Sequence, residues 1–210
     1  MPLALRSIVP LALAALLTAP AAAPAASGPG DDDAKAREWF TDTVLLTQDG
    51  KRVRFYSDVL RDRVVSLNFI FTRCADACPL ITQKLRATKE QLGDLFGKPV
   101  RFVSISVDPE YDRPARMKEF ARKNRAEHPE WLFLTGKPAD VDKVLKRLGE
   151  AVGEPQDHST ALVAGNTMTR HWTKIRPDAP PVAIAEHLRR LAGEEIGGGG
   201  AARAAVRQAD

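Results

Sequence analysis

The sequence has little cysteine and little excess charge of either sign. Cys74 and Cys78 are the two cysteines among its 210 residues, and two cysteines cannot form the disulfide framework of a small secreted scaffold. The pair must therefore serve chemistry or form one local bridge. The chain has 31 basic and 27 acidic residues and a formal net charge of +4. Because basic residues are interspersed with acidic ones, we expect no nucleic-acid partner.

The N-terminus carries the features of an export signal. Arg6 precedes an apolar stretch at 8–17, and the Ala-Pro-Ala at 23–25 is a small-x-small pattern that signal peptidases accept. Residues 1–25 therefore predict a signal peptide. The alternative is an uncleaved membrane anchor, since the alanine-rich run approaches the roughly 20 residues that span a bilayer. Both place the folded part in the periplasm or on the outer face of the cytoplasmic membrane, where free thiols need a reductant or a metal.

The length suits one domain with tails. Residues 26–36 are rich in glycine, proline and aspartate, which predicts a flexible linker. Residues 37–193 form the predicted folded domain. The glycine- and alanine-rich segment 194–210 is low in complexity, and we expect a disordered tail.

Strand and helix patterns alternate along the folded segment. Two short β-like runs flank Gln48-Asp49-Gly50, and Asp-Gly between such runs predicts a hairpin. The unbroken apolar run at Val64–Phe71 indicates a strand buried on both faces. Further patterns predict a helix from Pro79, helices at Pro114–Lys123, Pro138–Leu148 and Pro181–Leu191, and strands at Val100–Val107, Leu132–Leu134, Ser159–Val163 and Thr169–Thr173.

Both cysteines lie between the first central strand and the first long helix. This placement predicts a thioredoxin-like α/β fold, with a central mixed sheet flanked by helices and an added N-terminal β-hairpin. Unpaired N–H groups and the helix dipole favour a thiolate at a helix start. A spacing of four residues brings two thiolates close enough to share a metal ion or form a disulfide. Thiolates select soft metals such as Cu(I), and an added imidazole suits both copper states and zinc.

Four segments, in this order, resemble the Sco/SenC family: FIFTRCADACPL, SISVDPEYDRP, WLFLTGKPADVDKVLKRLG and DHST. The resemblance covers Trp39–Leu191. It implies a thioredoxin-fold protein that binds one copper ion per monomer, as Cu(I) or Cu(II), and assists assembly of the copper site of cytochrome c oxidase. The metal ligands it implies are Cys74, Cys78 and His158. The implied partner is the copper-binding subunit of the oxidase, with a periplasmic copper donor or a thiol reductant as a further partner, and we expect a monomer.

Two acidic residues are candidates for supporting these ligands. We expect His158 to open a strand beside the thiols, and Asp157 would orient its ring. Asp108, at the C-terminal end of a strand, either faces the site or only forms a turn.

Met168 and His171 lie near the final hairpin. They could form a second copper site, or they could have ordinary structural roles.

The dithiol is compatible with more than one function. The first is a metallochaperone that passes copper to cytochrome c oxidase. The second is a thiol-disulfide oxidoreductase that reduces the oxidase subunit or another exported protein, in which Cys74 attacks and Cys78 resolves a mixed disulfide. A peroxiredoxin-type peroxidase is disfavoured, because Ala75 stands where such enzymes have a threonine, three residues before the reactive cysteine.

Overall fold

A computed structural model of the chain describes residues 29–150 and 153–194. The predicted signal peptide or anchor at 1–25 lies outside these residues, as does the predicted tail apart from its first residue. Within the described residues, no helix combines the length and the hydrophobicity needed to cross a membrane.

Helices and strands alternate along the described chain, as predicted. Their bounds are α1 Pro29–Phe40, β1 Val44–Thr47, β2 Arg52–Arg54, β3 Val64–Ile70, α2 Ala77–Leu92, β4 Val100–Ser106, α3 Pro114–Lys123, β5 Trp131–Thr135, α4 Pro138–Arg147, β6 Leu162–Asn166, β7 His171–Ile175 and α5 Pro181–Ala192. A single π-helical turn spans Phe55–Leu60, and 3-10 turns span Gly93–Leu95 and Pro155–Asp157.

The strands form one mixed sheet in the order β2-β1-β5-β4-β3-β6-β7. Strands β3, β4 and β5 are parallel, whereas β6 runs antiparallel to β3 and β1 runs antiparallel to β5. The hairpin β1–β2 at one edge confirms the Asp-Gly turn prediction. The C-terminal end of β3 and the N-terminal end of β6 therefore lie at the same end of the sheet. The cysteines follow β3 and His158 precedes β6, so these residues lie at that end too.

Both faces of the sheet are covered, which explains the unbroken apolar pattern of β3 and β4. All seven residues of each of these strands are buried, as expected for central parallel strands. One hydrophobic core lies between the sheet and helices α2, α3 and α5. The second lies between the sheet and helix α4, the π-helical turn and the hairpin. Successive side chains alternate between them, so that Val64 faces the first core and Val65 the second.

The predicted linker at 26–36 is helical from Pro29 onwards, which differs from the expected flexible segment. Asp33 accepts hydrogen bonds from Arg37 and from the hydroxyl of Tyr56, both at 2.9 Å. At the end of the helix, the ring of Phe40 lies 6.2 Å from that of Tyr56 and 4.9 Å from that of Trp172. Tertiary contacts thus order a segment whose composition alone is typical of a linker.

Strand β6 begins three residues later than predicted, and it continues past the predicted end at Val163 through Gly165 to Asn166. A Cβ atom on Gly165 would lie 2.3 Å from the ring of Trp172, so glycine here permits a close approach between strands. His158 consequently does not open the strand. It follows the 3-10 turn at Pro155–Asp157 and precedes β6 by a short loop.

Candidate metal centre

The two thiols lie at the junction of β3 and α2, where the sequence predicts them. Cys74 lies in the connecting turn and is half-buried, whereas Cys78 lies in the first turn of α2 and is 0% exposed. Both cysteines are free. The backbone N–H of Cys78 donates to the Sγ atom of Cys74 at 3.3 Å. The start of the helix therefore directs a donor at the more accessible sulfur.

The two thiols differ in their acidity. Partial burial opposes ionisation of Cys74, but hydrogen bonds from the backbone and thiol of Cys78 and from the backbone N–H groups of Asp76 and Ala77 lower its pKa below the ordinary value. Burial raises the pKa of Cys78 to about 12, and its hydrogen bond to Cys74 adds to this rise. One sulfur is thus inclined to ionise, and the other is kept neutral.

The ring of His158 is buried, with 8% of the residue exposed. Its Nδ1 atom lies 2.6 Å from the carbonyl oxygen of Pro155. Because a carbonyl can only accept, Nδ1 carries the proton and Nε2 carries the lone pair. Nε2 is buried and has no hydrogen-bond partner in the described part of the chain. The ring meets the ring of Phe71 edge-on, with the centroids 5.7 Å apart.

Cys74 and His158 line the same cavity of about 320 Å³, together with Phe71, Arg73 and the start of α2. Cys78, by contrast, is part of the hydrophobic core between the sheet and α2, α3 and α5. Within residues 29–150 and 153–194, no three His, Cys, Asp or Glu side chains stand close enough together to hold a metal ion as they are. Binding by all three predicted ligands therefore requires a movement of the thiol loop or of the His158 loop.

The donor chemistry nevertheless fits a soft metal ion. Cys74, with its thiolate-prone sulfur, and His158, whose Nε2 atom meets no hydrogen-bond partner among the described residues, line one cavity, and a second sulfur lies four residues along the chain. Buried polar atoms of proteins are normally satisfied, so an orphaned lone pair calls for an explanation such as an ion. Sulfur and imidazole donors are those that copper and zinc accept.

The two predicted supporting acids have different positions. Asp108 is buried at the end of β4 and accepts a hydrogen bond of 2.6 Å from Arg73, the residue before Cys74. It therefore faces the thiol loop. Asp157 is exposed and does not orient the ring of His158 as predicted, because the carbonyl of Pro155 takes that role.

Asp112 was not among the predicted site residues, and it is 0% exposed. Its carboxylate accepts the backbone N–H of Thr72 at 3.2 Å and the hydroxyl of Ser106 at 2.8 Å. Burial raises the pKa of Asp112, and these hydrogen bonds oppose the rise. The available signal was an acid shortly after a buried strand, within the SISVDPEYDRP segment.

Glu150 was also missed, and it is 5% exposed. Its Oε2 atom accepts the backbone N–H of Ser159 at 3.2 Å, and its Oε1 atom lies 3.9 Å from the Nζ atom of Lys174. Nothing in its residue type or spacing distinguishes it from the surface acids of α4.

Within the described residues, the final hairpin holds no group of three or more His, Cys, Asp or Glu side chains placed to bind a metal ion. His171 is exposed, and its Nδ1 atom pairs with a carboxylate oxygen of Glu194 at 2.5 Å. Thr169 donates to the same carboxylate at 2.7 Å. This group is a hydrogen-bonded cluster at the surface.

Together, the fold and the site define a class of protein: a thioredoxin-like α/β domain with two thiols at a helix start, the more accessible of which lines one cavity with a buried histidine. The family model described as SCO1/SenC matches residues 32–193. The chain belongs to the SCO1/SenC family, as the four motifs predict.

Similar proteins support this assignment. The SCO1 protein homolog of Bacillus subtilis is 39% identical over 121 residues, which are 57% of this chain and 61% of that relative. ScoI of Bradyrhizobium japonicum, whose structure has copper bound, is 25% identical with a TM-score of 0.59, over 71% of this chain and 96% of that one. BsSco, described as a Sco-family cytochrome c oxidase assembly protein with a disulfide switch, is 26% identical with a TM-score of 0.62, over 74% of this chain and 94% of that one.

Proposed function

We propose that this chain is an exported copper-binding metallochaperone that assists assembly of the copper site of cytochrome c oxidase. Cys74, Cys78 and His158 would hold one copper ion per chain. The observation that carries the proposal is the buried Nε2 atom of His158, to which none of the described residues donates a hydrogen bond, on a ring whose residue lines the same cavity as Cys74.

The identity of the metal follows from the donors and from the relatives. Two sulfurs favour Cu(I), and one imidazole keeps the set compatible with Cu(II). The similar ScoI of Bradyrhizobium japonicum has copper bound. The half-buried Cys74 borders an open cavity, so that a recipient protein can approach the ion and replace its ligands one at a time.

Export is supported by the N-terminal sequence and by a relative. Residues 1–25 carry the pattern of a signal peptide or an anchor. A SCO1/SenC family member of Bacillus anthracis is described as a lipoprotein, and it is 28% identical with a TM-score of 0.60. We therefore place the folded domain in the periplasm or on the outer face of the cytoplasmic membrane, as a monomer.

Anaerobic Cu(I) titration of the exported domain tests the ligand set. We expect one ion per chain, and affinity at least about tenfold weaker in His158→Ala, since even groups that only support ligands have effects of this size. A Cys74→Ser, Cys78→Ser double variant should lose binding. His171→Ala is the matched control, because this exposed imidazole pairs with Glu194. If the His158 and double-cysteine variants both bind copper like the parent, the proposal is wrong.

The unequal acidity of the thiols favours a second candidate, a thiol-disulfide oxidoreductase. In this reaction the Cys74 thiolate attacks a disulfide of an exported protein, forming a mixed disulfide and releasing one partner thiolate. The Cys78 thiol then gives up its proton to that thiolate and attacks the Cys74 sulfur. This step releases the second partner thiolate, leaves an intramolecular disulfide and transfers two electrons to the partner.

Trapping separates the two candidates. A Cys78→Ser variant of a reductase would accumulate a mixed disulfide with its target, because the resolving thiol is missing. His158→Ala would leave that trapping unchanged, whereas it would weaken copper binding in a metallochaperone. If cells that export the Cys78→Ser variant contain no trapped mixed disulfide, and the parent protein still binds copper, the reductase hypothesis is wrong.

A further inference from the structure

The loop that carries Cys74 is fastened by one buried carboxylate. Both carboxylate oxygens of Asp112 lie 3.2 Å from the backbone nitrogen of Thr72. The hydroxyl of Thr72 also donates to Asp112, and the hydroxyl of Ser106 donates to it from the end of β4. Three donors from two neighbouring strand ends thus converge on a side chain that is fully buried.

The hydrogen bonds to Asp112 come directly after the last hydrogen bonds between β3 and its neighbouring strands. Thr72 lies two residues before Cys74, and the N–H of Cys74 donates to the carbonyl of Phe71 in a tight turn. An N–H that is shielded from water and left unpaired is costly, and Asp112 accepts a hydrogen bond from the N–H of the half-buried Thr72. The turn that presents the sulfur is therefore held through this carboxylate.

The carboxylate is itself fixed to the sheet. The N–H of Asp112 donates to the carbonyl of Asp108 at 2.8 Å, and the hydroxyl of Thr135 on β5 donates to the carbonyl of Asp112. The carboxylate of Asp108 in turn accepts a hydrogen bond from the guanidinium of Arg73. The position of the thiol loop is thus set by the segment that follows β4.

A different carboxylate fastens the loop that carries the imidazole. Glu150 follows the end of α4 and is buried, and its Oε2 atom accepts the N–H of Ser159, the residue after His158. On the other side, the ring itself is held by the carbonyl of Pro155. His158 is therefore fixed from both directions along the chain.

We infer that Asp112 and Glu150 are positioning residues, one for each half of the metal centre, and this inference rests on the proposed function. Asp112 places the thiol loop and Glu150 places the imidazole loop. The two carboxylates act through different backbone N–H groups, so their effects on the two halves are separable. General loss of stability would disturb both halves alike.

The thiol half is tested by alkylation of the metal-free protein. Thr72→Val removes the hydroxyl that donates to Asp112 and keeps the shape of the side chain. Thr72→Ser keeps a hydroxyl at this position. We expect the rate at which iodoacetamide modifies Cys74 to change about fivefold in Thr72→Val and in Asp112→Asn, and Thr72→Ser to behave like the parent. Thr88→Val is the control, because the hydroxyl of this buried threonine bonds along α2 and to the start of α5.

The imidazole half is tested by spectroscopy. With Cu(II) bound, Glu150→Ala should lose or alter the nitrogen coupling of His158 in electron paramagnetic resonance, while its Cys74 alkylation rate stays that of the parent. Glu150→Gln, whose amide oxygen can still accept the N–H of Ser159, should restore the coupling. In the metal-free protein, the nitrogen-15 shifts of the His158 ring should move in Glu150→Ala and stay unchanged in Asp112→Asn.

Cu(I) affinity should fall about tenfold or more in Asp112→Asn and Glu150→Ala, and stay unchanged in Thr88→Val. The inference is overturned if Asp112→Asn and Glu150→Ala alter alkylation and ring shifts in the same pattern, or if Thr88→Val reproduces Thr72→Val. A parent that binds no copper would instead overturn the proposed function. The alkylation rate of Cys74 and the nitrogen-15 shifts of the His158 ring would still test the two positioning roles, since both are measured without metal.

Discussion

The backbone N–H of Cys78 donates to the sulfur of Cys74 at 3.3 Å. The residue that carries the second thiol thereby stabilises negative charge on the first. Because Cys78 itself is fully buried, one helical turn combines a thiolate-prone sulfur with a sulfur that stays protonated. This asymmetry can be measured directly.

Cys74 should react with iodoacetamide much faster than Cys78 in the native, metal-free protein. The lowered pKa of Cys74 means that its thiolate appears at a lower pH than that of an ordinary cysteine. Cys78, whose pKa burial raises to about 12, stays a thiol between about pH 6 and 9. Peptide mass spectrometry measures both rates. Equal rates in the native protein would contradict the assignment, and denaturant should make them equal.

Tyr56→Phe should destabilise the domain by about 1 kcal/mol at neutral pH, because the hydroxyl donates to Asp33 on α1. Burial and this bond raise the pKa of Tyr56 to about 12, above the unfolded value of about 10. The contribution is thus present below about pH 10 and is lost as the pH rises through about 12. Urea unfolding of both proteins at increasing pH should show their difference shrinking. Tyr111→Phe, which keeps the ring that Arg116 stacks on, is the control.

Arg101→Met should lower the free energy of unfolding by about 3 kcal/mol, because it leaves a carboxylate and two carbonyls without their donor. Arg101 is 9% exposed. It donates to Glu130 at 2.7 Å and to the carbonyls of Asp58 and Val59 in the π-helical turn. Arg122→Met removes an exposed pair with Glu119 and should leave the free energy of unfolding nearly unchanged, because water and salt screen exposed pairs. Chemical denaturation measures both variants. If Arg101→Met and Arg122→Met lose similar free energies of unfolding, the burial of Arg101 does not explain its contribution.

Gly165→Ala should destabilise the domain by about 1–3 kcal/mol through overpacking. The new methyl group would overlap the ring of Trp172, whose Cε3 atom is 2.3 Å from the ideal Cβ position. A melting curve checks the loss, and tryptophan fluorescence should report displacement of the ring. Gly153→Ala, with nothing within 4 Å of its Cβ position, should melt like the parent. An unchanged melting temperature in Gly165→Ala would contradict the packing.

Most of the fold could be predicted because its signals are local. The Asp-Gly turn, the apolar run of β3 and the proline that starts α3 each act within a few residues. The π-helical turn at Phe55–Leu60 gave no such signal, because six residues are too few for the helical spacing of its buried side chains to stand out. Its carbonyls are satisfied by Arg101 from β4, and this long-range contact is invisible in the local pattern.

The site could be predicted in part for the same reason. Residue type and spacing indicate Cys74 and Cys78, and the family resemblance indicates His158. The acceptor for the ring is the backbone carbonyl of Pro155, which any residue could supply, so Asp157 was the wrong choice. Asp112 and Glu150 are defined by the backbone groups that they reach across the fold, and a sequence does not display those distances.

The pairing of β3 with β6 has a consequence for biosynthesis. The dithiol follows β3, whereas His158 precedes β6, so His158 takes its place at the same end of the sheet as the thiols only when the last third of the chain has joined it. A chain that is made N-terminus first therefore contains both thiols before it contains His158. Until the sheet is complete, the two thiols stand without the imidazole and can be oxidised like any exposed pair.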